Sequence, residues 1–268
     1  MFHTPTAPTP TSAWLSDPQT FAVNRLPARS THRTNAPTQS LDGTWEVALT
    51  SSSRVALDSP TITFDQEAVH SLPVPSTLEA EGLWPPAYVN IQMPWDGHEN
   101  PQAPKPPEEC RVALYRRTFT LHDSLQESLS KQGRARLRFE GFATALYIWV
   151  DGIFVGYCED GYTASEFDIT SALTRSPDHE IVVACYEHSS ASWLEGQDSW
   201  RFHGIFRSVS LVALPACHVA HLAANADYDA ETGAGILNVT VDLKGTKADS
   251  TARAQLTDSS GTIVWSEH

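Results

Sequence analysis

Short runs in which apolar and polar residues alternate recur through the middle of the chain and predict β-strands. Residues 134–139 alternate arginine with alanine, leucine and phenylalanine, as a half-buried strand does. Residues 145–150 form an apolar run, Asp151-Gly152 is typical of a two-residue type I′ turn, and residues 153–157 form the returning strand of a hairpin. Residues 41–47 predict a turn at Asp42-Gly43 followed by a strand, further strands are predicted at residues 112–121, 180–186 and 209–214, and residues 61–64 alternate weakly.

One segment has a helical pattern. Residues 123–133 place Leu125 and Leu129 on one face, with Asp123 as the N-cap and Gly133 as the closing residue. Residues 72–109 are a proline-rich irregular stretch, and loops of that length in compact domains usually carry function. With so many short strands and a single helix, residues 41–215 predict an all-β sandwich with long loops.

The pattern divides the chain into three parts. Residues 1–40 are rich in proline without periodicity and predict an extended N-terminal arm, whereas residues 41–215 form the sandwich. Residues 216–268 begin a second β domain, with strands predicted at residues 218–223, 236–243, 251–257 and 262–266. An immunoglobulin-type sandwich needs about seven strands over about 100 residues. We therefore expect an incomplete second domain, and a chain that is a fragment of a longer polypeptide.

Charge and cysteine usage narrow the classes of partner. The formal net charge of the 268 residues is -14, from 18 Lys plus Arg and 32 Asp plus Glu, so neither nucleic acid nor an anionic membrane surface is an expected partner. No apolar run approaches the ~20 residues of a membrane span. The four cysteines are widely spaced without a C-x-x-C pair, which indicates free thiols, and the start lacks a signal-peptide pattern. We expect a cytoplasmic protein.

Two segments carry candidate binding chemistry. Residues 193–207 combine carboxylates, amides, guanidinium groups, an imidazole and aromatic rings, a mixture that suits sugar hydroxyls and the apolar face of a pyranose. The same composition fits an ordinary aromatic-rich loop that fills the core, and local sequence alone favours that interpretation. In residues 84–95, Asn90 is an amide among aromatics and prolines, which fits either an orienting sugar contact or a stiffened turn. Trp84, Trp95, Trp193 and Trp200 flank these two segments and are candidates to face a sugar, whereas Trp45 and Trp149 are expected in the core.

Taken together and in order, several short motifs resemble the start of lac-type bacterial β-galactosidases of glycoside hydrolase family 2. The most specific is Leu194-Glu195-Gly196-Gln197-Asp198-Ser199-Trp200-Arg201 running into Gly204-Ile205-Phe206-Arg207. The others are Asn24-Arg25-Leu26, Leu41-Asp42-Gly43-Thr44-Trp45, Val74-Pro75-Ser76, Tyr88-Val89-Asn90, Arg138-Phe139-Glu140-Gly141-Phe142, Trp149-Val150-Asp151-Gly152 with Val155-Gly156-Tyr157, and Ser165-Glu166-Phe167-Asp168-Ile169.

The resemblance implies a fold and a division of labour. It implies a jelly-roll, galactose-binding-like β-sandwich, then an immunoglobulin-like sandwich, then a (β/α)₈ barrel that holds the catalytic glutamates and Mg²⁺. Asp198 would contact a sugar hydroxyl and hold Na⁺, and Asn90 would contact the substrate. No catalytic residue is expected in this chain. The family usually forms homo-oligomers, with the N-terminal arm at a subunit contact.

The expected function is that of the N-terminal sugar-binding part of a retaining β-galactosidase that hydrolyses terminal β-galactosides such as lactose. The expected partner of the fragment is the catalytic barrel of the same polypeptide. Because that barrel holds the catalytic glutamates, the fragment on its own is expected to be inactive. Alternatives are a stand-alone carbohydrate-binding module, another family 2 enzyme such as a β-glucuronidase or β-mannosidase, and a structural sandwich whose loops mediate assembly.

Overall fold

A computed structural model of the chain describes residues 8–29, 34–65, 67–89, 102–173, 177–246 and 250–267. The contacts divide the chain after Leu214 into two compact units, Met1–Leu214 and Pro215–His268, and each is described here by itself. Among the described residues, none of the helices is both long enough and apolar enough to cross a membrane.

The first unit consists mainly of antiparallel strands. Its strands are β1 (Ala22–Val23), β2 (Thr38–Ser40), β3 (Gly43–Ser51), β4 (Val69–Val74), β5 (Ala87–Val89), β6 (Arg111–Thr120), β7 (Arg134–Phe139), β8 (Ala145–Val150), β9 (Ile153–Cys158), β10 (Ser165–Asp168), β11 (Asp178–Tyr186), β12 (Ser199–Arg201) and β13 (Val209–Leu214). Its helices are α1 (Pro60–Asp65), α2 (Asp123–Ser130) and α3 (Ser192–Glu195), with short 3₁₀ turns at Ser12–Ser16 and Ser52–Arg54.

Two sheets form a sandwich in this unit. The larger has seven strands in the order β1-β9-β8-β11-β6-β3-β4, and the smaller has four in the order β10-β7-β13-β2. The main hydrophobic cluster draws side chains from both, for example Ile148 from the larger and Leu211 from the smaller, so the core lies between them. The prediction of an all-β sandwich is confirmed.

The larger sheet is buried on its other face as well. Along β8, Leu146 and Ile148 belong to the core between the sheets, whereas Tyr147 and Trp149 belong to a second buried cluster. Because both faces of β8 are covered, this strand has no polar positions and its sequence is continuously apolar. Trp45 and Trp149 are buried, as predicted.

Part of the N-terminal segment covers that second face. The ring of Trp14 stacks on Tyr147 at 5.9 Å, and the Tyr147 hydroxyl donates to the Thr11 carbonyl at 2.9 Å. β1 pairs with β9, and β2 pairs with β13. The described residues of segment 1–40 therefore pack along both sheets of the sandwich.

Local predictions in this unit were mostly correct. The hairpin turn is confirmed, since Val150 pairs with Ile153 and both Asp151 and Gly152 have positive φ angles of 50° and 75°. The weak alternation at residues 61–64 is not a strand, because those residues lie in α1.

The predicted helix exists, but its ends differ. Its N-cap is His122 instead of Asp123, and its last helical residue is Ser130. The left-handed residue after the helix is Gln132, with φ of 66°, and not Gly133. Gly133 is instead required by space, since a Cβ atom there would lie 2.6 Å from the Ser128 carbonyl oxygen.

The second unit contains two antiparallel hairpins. Strands β14 (His218–Asp229) and β15 (Ala234–Lys244) pair with each other, as do β16 (Ala254–Thr257) and β17 (Ile263–Glu267). The turn predicted at residues 259–261 connects the last two, and the Asp258 amide donates to the Thr262 carbonyl at 3.0 Å. The immunoglobulin-like assignment of this unit stays a prediction.

Candidate functional site

Asp198 lies on an exposed bend between α3 and β12. β12 pairs with β5, which joins Trp200 to Tyr88 and Ser199 to Val89. The Tyr88 hydroxyl donates a 2.5 Å hydrogen bond to Asp198 Oδ1. This bond orients a solvent-exposed carboxylate, a group that accepts hydrogen bonds from ligand hydroxyls.

Asn90, the second predicted contact residue, lies outside the described residues, as does Trp95. Val89 precedes Asn90 in the sequence, and its strand partner Ser199 follows Asp198. The pairing therefore brings together the two segments that the sequence singled out. The roles of both residues stay predictions.

The tryptophans near the bend divide into exposed and buried ones. Trp200 is 55% exposed, and its ring centre lies 5.5 Å from that of Tyr88, which is itself 49% exposed. Two adjacent exposed rings can cover the C–H face of a sugar. Trp84 is buried with its edge against His203, and Trp193 donates its indole N–H to the Lys105 carbonyl at 3.1 Å.

Some polar groups of residues 193–207 hold the backbone in place. Arg201 Nη1 donates to the Gln197 carbonyl at 2.8 Å, and Gln197 Nε2 donates to the Leu194 carbonyl at 2.7 Å. Arg207 Nη1 donates to the Tyr162 carbonyl at 3.0 Å. These three contacts to carbonyl groups fit the structural interpretation that the sequence left open.

A shallow pocket lies beside the bend, with about 430 Å³ of space that is partly open to solvent. Glu195, His188 and Trp200 are among the residues that line it. Burial raises the pKa of Glu195 to about 7, and the Asp160 and Glu159 carboxylates act in the same direction. At neutral pH this side chain can therefore either donate or accept a hydrogen bond.

Burial has the opposite effect on a neighbouring imidazole. It lowers the pKa of His188 to about 4, and the nearby Glu187 carboxylate offsets this only in part. His188 is therefore neutral at pH 7. The pocket therefore combines a half-ionised carboxyl group with a neutral imidazole, and the Arg201 guanidinium lines it as well.

The chemistry of Asp198 fits one ligand position of a Na⁺ site. Its carboxylate is a hard oxygen donor at the surface, and the Tyr88 phenol oxygen lies next to it. The described residues contain no cluster of three or more His, Cys, Asp or Glu side chains that could hold a metal ion.

Sequence reasoning missed Tyr88 as a site residue. The signal was present, because Tyr88 precedes Asn90 in one of the quoted motifs. Its contact with Asp198 depends on the pairing of β5 with β12, two three-residue strands that lie over 100 positions apart in the sequence. No local sequence pattern predicts that pairing.

Comparison with known proteins gives the family of the chain. The family model "Glycosyl hydrolases family 2, sugar binding domain" matches residues 38–215. The chain is 45% identical to β-galactosidase BgaC of Bifidobacterium adolescentis, over 97% of this chain and 27% of that protein. It is 38% identical to a β-galactosidase of Streptococcus thermophilus, over 94% of this chain and 25% of that protein. The chain thus spans about a quarter of the length of these two relatives.

Solved structures show the same fold. A β-glucuronidase of Lactobacillus rhamnosus aligns with a TM-score of 0.57 at 18% identity, over 89% of this chain and 38% of that one. The β-glucuronidase of Ruminococcus gnavus aligns with a TM-score of 0.57 at 15% identity, over 90% and 40%. Since a family model covers most of the first unit, the chain belongs to glycosyl hydrolase family 2, and residues 38–215 are the sugar-binding domain of that family.

Proposed function

We propose that this chain is the N-terminal sugar-binding part of a β-galactosidase that hydrolyses terminal, non-reducing β-D-galactosides such as lactose. The observation that carries the proposal is the exposed Asp198 carboxylate, oriented by Tyr88 beside the Trp200 ring within the family's sugar-binding domain. Relatives that carry the name β-galactosidase align over nearly the whole chain, which supports the choice of sugar.

In this proposal the chain binds and orients the galactose. Asp198 accepts hydrogen bonds from sugar hydroxyls, Asn90 adds an amide contact, and the exposed rings pack against the apolar face of the pyranose. Retaining glycoside hydrolysis needs two carboxyl groups about 5–5.5 Å apart, one as acid/base and one as nucleophile. We assign both catalytic carboxyl groups to a barrel of the same polypeptide, outside the 268 residues of this chain.

Two metal ions belong to the proposal. Na⁺ would be held partly by Asp198, where its charge would stabilise the carboxylate and help fix a bound sugar hydroxyl. Mg²⁺ would be held in the barrel.

The proposal also places the enzyme in the cytoplasm as a homo-oligomer. All four cysteines are free, with Cys110, Cys158 and Cys185 buried and Cys217 exposed, which suits a reducing compartment. The N-terminal segment would contribute to subunit contacts.

The direct test of the site is the substitution Asp198→Asn in the enzyme produced from the complete reading frame. We expect kcat/KM for a nitrophenyl β-galactoside to fall at least 100-fold, because an amide replaces the charged acceptor. Asp58→Asn is the matched control, since Asp58 is another exposed aspartate of the first unit. Equal activities of the two variants would overturn the role of Asp198.

A stand-alone carbohydrate-binding module is the rival from another class. Calorimetry of the 268-residue chain with galactose separates the two, because half of a binding site binds poorly. We expect a Kd weaker than about 1 mM and no hydrolysis of a chromogenic galactoside by this chain alone. Tighter binding would favour the module, and turnover would contradict the assignment of the catalytic carboxyls to a barrel.

A further inference from the structure

The bend that carries Asp198 belongs to a surface loop, here named the Asp198 loop and defined as residues 192–202. Much of it is exposed, with Leu194 at 80% and Trp200 at 55% of their full accessible area. An exposed loop of this kind has few apolar contacts of its own to fix its position. Within the loop, β12 pairs with β5 and Trp193 donates to the Lys105 carbonyl, and further contacts hold the two ends of the loop.

At the first end lies Glu159, which follows β9 and is 2% exposed. Its Oε2 accepts hydrogen bonds from the Ser190 hydroxyl and the Ala191 amide, both at 2.9 Å. Its Oε1 accepts from the Tyr157 hydroxyl. Ala191 is the N-cap of α3, so this carboxylate fixes the entry of the chain into the loop.

At the second end lies Glu79, whose side chain is 2% exposed. Its Oε2 accepts the backbone N–H of His203 at 2.8 Å, and its Oε1 lies 2.8 Å from His203 Nδ1. The neighbouring Leu78 amide donates to the His203 carbonyl at 3.0 Å. The residue directly after the loop is thus held through its backbone N–H, its carbonyl and its imidazole.

The two carboxylates come from separate parts of the chain and have similar roles. A buried carboxylate is tolerated only where hydrogen bonds satisfy its oxygens, so each adopts a narrow range of geometries. Glu79 also lies eight residues before β5, the strand that pairs with the loop and carries Tyr88. Glu79 therefore ties the exit of the loop to the segment that leads to the hydrogen-bond partner of Asp198.

We propose that Glu79 and Glu159 are positioning residues, which anchor the two ends of the Asp198 loop and thereby fix Asp198 against Tyr88. The consequence for sugar binding rests on the function proposed above, whereas the anchoring does not.

The anchoring is tested on the 268-residue chain by hydrogen exchange. We expect Glu79→Ala to speed exchange of the β12 amides at least tenfold and Glu159→Ala to do so at the amides of α3, with the amides of β11 unchanged. Glu81→Gln is the control, since Glu81 is an exposed glutamate in the same turn as Glu79. Glu79→Gln preserves the shape of the side chain and loses only one of its two contacts with His203, so the exchange rate should increase less than in Glu79→Ala. This variant provides the test if Glu79→Ala does not fold.

The link to Asp198 is tested by a double-mutant cycle in the enzyme from the complete reading frame. Glu79→Ala should lower kcat/KM for a nitrophenyl β-galactoside at least tenfold when Asp198 is present, but less than twofold in the Asp198→Asn background. A purely structural role gives the same loss in both backgrounds. The inference is overturned if the two losses of kcat/KM are equal. It is also overturned if hydrogen exchange of the β12 amides is unchanged in Glu79→Ala. If Asp198→Asn alone has no effect, the proposed function fails, and the exchange measurement still decides the anchoring.

Discussion

At the residue scale, Glu195 is a partly buried carboxyl group whose ionisation opposes folding. Its pKa is raised from an ordinary 4.5 to about 7, first by burial and then by Asp160 and Glu159. Between these pH values the folded chain binds more protons than the unfolded chain, so the contribution of Glu195 to stability falls as the pH rises. His188 works in the other direction, because its lowered pKa makes stability rise between about pH 4 and 6.5.

The variant Glu195→Gln separates these two effects, because it removes one titration and leaves the other. We expect its free energy of unfolding to match the wild type near pH 4.5 and to exceed it by about 2 kcal/mol above pH 7. Urea unfolding across this range, followed by near-ultraviolet circular dichroism, measures the difference. A difference that stays constant with pH would show that Glu195 has an ordinary pKa.

Gly204 is required by its surroundings as well as by its backbone. Its φ is +107°, and a Cβ atom would lie 2.6 Å from the Tyr115 hydroxyl oxygen in the buried core. Gly43 has a similar φ of +122°, but its nearest neighbour is the end of the flexible Arg117 side chain at 3.4 Å.

Comparing alanine substitutions at the two glycines separates the clash with Tyr115 from the backbone strain that both positions share. Gly204→Ala should lower the free energy of unfolding by about 3 kcal/mol or more, and Gly43→Ala by about 1–2 kcal/mol, since both share the backbone strain. Chemical denaturation of the two variants measures the gap. Equal losses would mean that Tyr115 moves aside.

Residue chemistry could be predicted from the sequence more easily than residue exposure. The segment at residues 193–207 is polar and aromatic in the sequence, and the structure adds that Arg201 and Arg207 donate to carbonyl groups. Trp84 and Trp200 look alike in the sequence, yet one is buried and the other exposed. Exposure depends on which distant segment covers a side chain, and Glu79 and Glu159 were overlooked for the same reason.

At the scale of elements, the strands with strong alternation or a tight turn were predicted well. The three-residue strands β5 and β12 were not, because each forms only by pairing with a distant partner. The 3₁₀ turn at Ser12–Ser16 was missed too, since the surrounding segment has no periodicity. The Thr11 hydroxyl caps this turn by accepting from the Ala13 amide at 3.3 Å, and packing on the larger sheet adds to its stability.

That packing gives a prediction for the N-terminal segment. Trp14 contacts Tyr147 and Tyr157 with ring centres 5.9 and 5.5 Å apart. Trp14→Ala should lower the free energy of unfolding by about 2 kcal/mol and expose residues 8–29 to proteolysis. Phe21→Ala is the control, with a loss below about 1 kcal/mol, because the Phe21 ring is 50% exposed. Equal proteolysis of both variants would show that Trp14 does not hold the segment.

At the scale of the whole molecule, the first unit has a core of its own. Both buried hydrophobic clusters consist of residues at or before Leu214, whereas the large apolar side chains described along β14 to β17 are exposed. A chain that ends after Ala216 should therefore fold, and its thermal transition should stay within about 2 °C of that of the first unit in the longer chain. Calorimetry of both chains checks this, and a loss of the transition would show that the first unit depends on the second.

The central claim is that this family 2 sugar-binding domain serves a β-galactosidase. The most direct measurement compares hydrolysis of a nitrophenyl β-galactoside and a nitrophenyl β-glucuronide by the enzyme from the complete reading frame. We predict a kcat/KM at least 100-fold higher for the galactoside. A preference for the glucuronide, or hydrolysis of neither, would contradict the claim.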